Sequence, residues 1–270
     1  MAGFKPTYGV VSRRGVLPLG FSLDHVGPLA ASVRDCAITM AAIADRDLGW
    51  SVASEPSIKG LRIGRPENFY FQKLDPPVAA ALESTFRTAS ERGAEIVPVR
   101  VPDIEAFNAV ALAILLAEAA AALEPHKSRR EEIGPDVRVL LDQGWMLPAS
   151  SYVNAQRLRS RFIAEFSHVW KSCDLLFLPA TPTTAPKIGQ TTVDIGRGPE
   201  DVRLLTTRCV RAINALGWPA LVIPCGTSEG LPIGLQIVGP ALADGAVLRC
   251  GAAMENETPL ATTNATEPRR

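Results

Sequence analysis

Histidine is scarce in this chain, with His25, His126 and His168 the only three among 270 residues. That count gives no basis for a His-rich metal centre. Cysteine is little commoner. The five thiols stand at 36, 173, 209, 225 and 250, an odd number with no CxxC pair and no zinc-module spacing. They read as reduced, mostly buried residues of a cytoplasmic protein. An excess of one charge is also missing: 28 Lys plus Arg balance 28 Asp plus Glu, so the formal net charge is zero. Without a basic excess little can neutralise phosphates along DNA or RNA, and nucleic-acid binding is not expected. Low self-repulsion favours self-association. The most apolar stretch, residues 109 to 123, is interrupted by Glu118. A membrane-spanning helix needs about 20 apolar residues, so no membrane span is expected. The opening MAGFKPTYGVVSRRG has no continuous apolar core of a signal peptide. No GxSxG occurs, which removes the support for a nucleophile-elbow hydrolase.

What is present is an ordinary globular composition, 47% hydrophobic and 21% charged. Residues 3 to 28 are dense in Gly and Pro and sustain neither a helical nor a strand period. They read as ordered loop, whose backbone polar groups need partners elsewhere. A domain that opens on such a loop suggests that a preceding half of the core is absent. Ser32, with Asp35 three residues on, then predicts a helix cap. The run KGLRIGRP predicts a strand ended by Pro66, and Asp75-Pro76-Pro77 starts a helix. Residues 94 to 101 alternate as a second strand, which makes a right-handed β-α-β unit. Asp103 caps a long Ala/Leu helix to about Leu123. Residues 126 to 144 are charged and mixed. Ser150 or Ser151 caps another helix carrying Phe162, Phe166 and Trp170, which read as core. Residues 175 to 179 are a continuous apolar strand, as in a sheet covered on both faces. A long loop over 179 to 201 leads to a helix over 204 to 215, ended by Gly217. Two strands around 220 to 238 form a hairpin, and 241 to 254 is a last helix. The fold class is α/β, a mixed β-sheet flanked by helices. Residues 1 to 255 read as part of one domain, and 256 to 270 as a polar, disordered tail.

Few residues suggest chemistry by themselves. Ser22, Asp24 and His25 invite a triad, but nearly adjacent side chains do not converge with the acid on the far side of the imidazole. Asp24 reads better as a loop carboxylate accepting backbone N–H groups beside a partly buried His25. Cys225 lacks an assignable base and reads as a small buried residue at a strand end. Gly226, Gly230 and Gly234 lie in a hairpin rather than between a strand and a helix, so they make no phosphate loop.

The segments GFKPTYG (3 to 9), SRRGV (12 to 16) and FSLDHVGP (21 to 28) resemble the amidase signature family closely. The resemblance continues in order through KGLRIG (59 to 64), GPDVR (134 to 138), LPATPTTAPKIG (178 to 189), TTRCVRAINALGWPALVIPCG (206 to 226) and GLPIGLQIVGP (230 to 240). It implies amide hydrolysis by a Ser–Ser–Lys triad on a mixed α/β sheet. One serine attacks the carbonyl, a second relays protons to the lysine, and backbone N–H groups hold the oxyanion. In the family, both serines and the lysine precede the GFKPTYG-like segment, where this chain starts. Lys5 is that segment's own lysine, and no GGSS-like stretch occurs in the 270 residues. No catalytic residue is therefore carried over, and the expected fold is an incomplete amidase-signature-like one.

Family members that serve tRNA-dependent amidotransferases hold a glutamine amino group with an acidic residue seven positions before the motif Asn. Here that Asn is Asn214 and the position is Thr207. The run TTRCVRAIN is more similar to general amidases. The resemblance makes Asp24, His25, Thr207 and Cys209 the substrate-pocket candidates, with packing of a helix face on the sheet as the competing account of the last two. No cofactor or metal is implied. The expected partners are a small-molecule amide, if an N-terminal half completes the site, and a second chain paired through exposed sheet. A split gene product, a remnant and a start assigned at an internal codon would each yield such a chain.

Overall fold

A computed structural model describes residues 1–51, 56–196 and 198–255. The tail expected to be disordered lies outside these described residues. The chain opens with β1 (Ala2–Lys5) and, after a long loop, β2 (Leu29–Ala30). This corrects the reading of residues 3 to 28 as loop throughout. Four residues containing Gly3 show no period of their own. Pairing decides the matter, because β1 lies between β2 and the later hairpin and its ladder groups are satisfied on both sides.

Helix α1 (Val33–Ile43) starts where expected, with the Ser32 side chain accepting from the Asp35 N–H. Strand β3 (Arg62–Pro66), helix α2 (Pro76–Glu91) and strand β4 (Glu95–Val99) form the β-α-β unit, and β3 and β4 pair in parallel. Asp103 caps α3 (Ile104–Ala122) by accepting from the Ala106 N–H at 3.0 Å. At 19 residues α3 is, among the described residues, the one helix long and apolar enough to cross a membrane. It packs here against other helices and half of its most apolar window is buried.

The stretch read only as charged and mixed holds a 3₁₀ helix (Glu124–Glu132) and α4 (Pro135–Met146). Only Leu141 and Gly144 of α4 are buried, which leaves too thin an apolar stripe to show in the sequence. Helix α5 (Ala149–Ser167) starts after Pro148, with no side-chain cap from Ser150 or Ser151. Strand β5 (Leu175–Pro179) is buried along its whole length. The loop after it contains a small hairpin, β6 (Thr192–Asp194) and β7 (Pro199–Asp201). The single helix expected over 204 to 215 is broken into α6 (Val202–Thr207) and α7 (Arg211–Leu216). Two carbonyls at the break are met from elsewhere: Asn108 Nδ2 donates to Arg208 O at 2.9 Å, and Gln236 Nε2 to Cys209 O at 3.3 Å. Gly217 ends α7 in the left-handed region at φ 72°. The hairpin β8 (Ala220–Ser228) and β9 (Leu231–Val238) carries a register shift between Pro224 and Gly226, so Cys225 is a bulge residue. Helix α8 (Asp244–Glu255) closes the described chain.

Seven strands form one mixed sheet in the order β2-β1-β8-β9-β5-β3-β4. Strand β5 shows why both faces are covered. Leu175 and Phe177 join the core under α1, α2 and α8, whereas Leu176 and Leu178 join the core under α3, α5 and α7. The second face also carries the cavity described next.

Candidate functional site

A cavity of about 960 Å³ lies between β1, the loop over residues 19 to 28, Leu29 of β2, and helices α3, α4, α6 and α7. Its lining is mainly apolar. Leu112, Leu115, Leu116 and Ala119 form a stripe at helical spacing on α3, and Val137 and Leu140 face them from α4. The two helices approach closely because of Gly144, where a Cβ would fall 2.2 Å from the Leu116 carbonyl oxygen.

The polar lining comes mainly from β1, the following loop and α6–α7. Lys5 Nζ donates to the Trp218 carbonyl at 2.5 Å. Burial pulls its ammonium down to about 7, against the opposing pull of Asp244. His25 Nδ1 lies 2.7 Å from the Leu23 carbonyl oxygen, which also accepts from Asn214 Nδ2 at 3.0 Å. A carbonyl only accepts, so Nδ1 carries the proton and Nε2 keeps a free lone pair. Nε2 is buried without a partner among the described residues. Burial, with Lys5 next in importance, lowers the imidazole to about 3, so it is uncharged at neutral pH. Tyr8 holds the ring edge-on, with centroids 5.4 Å apart.

The loop carrying His25 is fastened from below. Glu118, 1% exposed, accepts from the Ser22 N–H at 2.9 Å, Ser22 Oγ at 2.5 Å and Tyr152 Oη at 2.9 Å. Arg159 adds bonds to Ser22 Oγ and to the Ser22 and Ala215 carbonyls. This buried carboxylate is the same Glu118 that interrupts the apolar run in the sequence.

Two of the four sequence candidates, His25 and Thr207, line the cavity together. Asp24 does not line it. Its carboxylate accepts from the Leu19 N–H at 2.9 Å and from the Gly20 N–H at 3.1 Å, so it shapes the loop instead. Cys209 is fully buried in the helix-covered core away from the cavity, and burial pushes its thiol up to about 12. Sequence reasoning missed Lys5, Arg203, Arg211 and Gln236 as lining residues. A signal for two of them existed: Arg203, Thr207 and Arg211 recur at intervals of four, the spacing of one helix face. Among the described residues no group of three His, Cys, Asp or Glu side chains is placed to hold a metal.

Comparison with known proteins gives this geometry a context. One of the polypeptides that make up the glutamyl-tRNA(Gln) amidotransferase of Roseiflexus castenholzii is 33% identical over 294 aligned positions, which take in 96% of this chain and 59% of the relative. A solved amidase structure superposes with a TM-score of 0.88 at 32% identity, covering 94% of this chain and 58% of that one. The structure of the corresponding amidotransferase polypeptide from Thermotoga maritima gives a TM-score of 0.76 at 28% identity, over 96% of this chain and 58% of that one. The chain thus spans about three-fifths of the length of the curated relatives it matches. The family model described as Amidase matches residues 1–248, and the chain belongs to the amidase family.

Proposed function

We propose that these residues are the C-terminal portion of a hydrolase acting on carbon–nitrogen amide bonds, and that the cavity holds part of its small-molecule amide substrate. The observation that carries this reading is the family match over residues 1–248 together with a large apolar cavity edged by a few convergent polar groups. His25 and Thr207 are the proposed substrate contacts. The 270 residues contain no Gly/Ser-rich stretch with paired serines, so the chain by itself is proposed to be catalytically incompetent. A separately supplied N-terminal portion would complete it. Relatives named as one component of an amidotransferase support assembly with other chains. Five free cysteines, four of them buried, support a reducing, cytoplasmic setting.

The test is an amidase assay of the purified 270-residue chain on simple aryl and aliphatic amides, alone and mixed with the N-terminal two-fifths of a family relative. We expect turnover only in the mixture. Turnover by the chain alone, above a heat-killed control, defeats the incompetence claim. No turnover in the mixture, with both pieces shown to associate, favours the second reading of the chain as a non-catalytic interaction module.

A further inference from the structure

Arg203 on α6 and Arg211 on α7 both line the cavity, and neither is ion-paired among the described residues. Thr207 links them: its Oγ1 accepts from Arg211 Nη2 at 2.7 Å and donates to the Arg203 carbonyl at 2.8 Å. Lys5 supplies a third basic side chain to the lining. Asp201 is the one lining carboxylate, and its Oδ1 is engaged by the Leu204 N–H at 2.9 Å. Burial and the neighbouring Arg203 both disfavour the charge on Arg211. Two like charges stand beside an apolar wall, and the lining carboxylate Asp201 is ion-paired with neither among the described residues, so their mutual repulsion carries a cost. An anion between them would offset that cost, and a guanidinium fork matches a carboxylate in particular. The leucine stripe of α3 offers the same ligand an apolar bed.

We infer that the cavity takes a monocarboxylate with an apolar body, its carboxylate held by Arg203 and Arg211 and its body laid along α3. This rests on the reading of the cavity as the substrate site and names the chemical class it selects. In the proposed hydrolase, it assigns specificity to amides that carry a carboxylate at one end of an apolar group.

The test is calorimetric titration of the full 270-residue chain with 4-phenylbutyrate and decanoate, against their neutral amides 4-phenylbutyramide and decanamide. We expect each carboxylate to bind at least about tenfold more tightly than its amide at low salt, with the difference shrinking as salt rises. Arg211→Gln and Arg203→Gln should each weaken carboxylate binding about fivefold or more and amide binding far less. Arg211→Lys should retain only part of the preference, since the charge stays and the planar fork is lost. Circular dichroism and thermal unfolding check that each variant is folded. Should Arg211→Gln fail to fold, Arg203→Gln decides, since Arg203 is exposed. Equal affinity for acid and amide, an unchanged preference in the folded variants, or no binding of either probe by the folded chain would overturn the inference. The readout needs no turnover. A failed amidase assay with the carboxylate preference intact therefore removes only the hydrolase reading, and the converse result removes only this inference.

Discussion

His25 is fixed as a neutral imidazole by one carbonyl and by burial, and its pH signature follows. Its ordinary value is 6.5 and the folded value is lowered to about 3. Below pH 6.5 the unfolded chain takes up a proton that the folded chain refuses, so folding loses stability from about pH 6.5 down towards 3. By pH 5 the loss reaches up to about 2 kcal/mol. His25→Gln should lose less stability than the parent between pH 7 and pH 5, measured by urea midpoints. Identical losses in the two proteins would disprove the neutral, buried assignment. Lys5 gives a second window. Burial lowers it from 10.5 to about 7, so its burden on stability is full below pH 7 and lifts as pH rises towards 10.5. Lys5→Met should remove that alkaline gain in the same urea series, and an undiminished gain would locate the titrating group elsewhere. These roles were only half legible in the sequence. His25 and Thr207 stood out through motif position. Lys5 and Arg211 did not, because what distinguishes them is the low-polarity cavity and the like charge beside Arg211. Both arise only when β1, α6 and α7 are brought together.

At the scale of elements, the caps at Ser32 and Asp103 were legible, whereas the start of α5 and the helix break were not. Ser32 and Asp103 cap their helices because a short polar side chain meets an orphan N–H within three residues. The break between α6 and α7 depends instead on Asn108 and Gln236, each distant in sequence. Gln236 is 2% exposed. Gln236→Leu should cost about 1–3 kcal/mol through the lost tie to the break. It should also weaken carboxylate binding, since Arg203 and Arg211 flank that break. An unaltered thermal midpoint would show that the break is held without the amide. The crossing of α3 and α4 makes a parallel case. Gly144→Ala would force a Cβ against the Leu116 carbonyl and drive α4 outwards, at a cost of about 1–3 kcal/mol for overpacking. Chemical denaturation reads the loss directly. A variant as stable as the parent would mean that the helices separate easily.

At the scale of the molecule, the sheet ends on β2, a strand of two residues, and on β4. Leu29 on β2 is 78% exposed at the cavity mouth, and Leu19 and Phe21 of the preceding loop are about half exposed. Apolar side chains clustered beside an unpaired strand edge form a surface prone to association. Zero net charge adds little long-range repulsion to oppose it. Leu29 belongs both to the strand edge and to the cavity lining, so a chain docked on the edge would also cover the cavity mouth. We therefore expect the 270-residue chain to sediment as an oligomer, heavier than its 28.8 kDa, at micromolar concentration. Leu29→Lys should shift the population towards monomer, because a charge on the edge opposes pairing and the side chain contributes nothing to the core. Velocity ultracentrifugation of the two proteins at matched concentration decides the point. A parent chain that runs as a stable monomer would show that this edge is protected after all. An oligomer indifferent to Leu29→Lys would move the contact to β4 or to the outer helices.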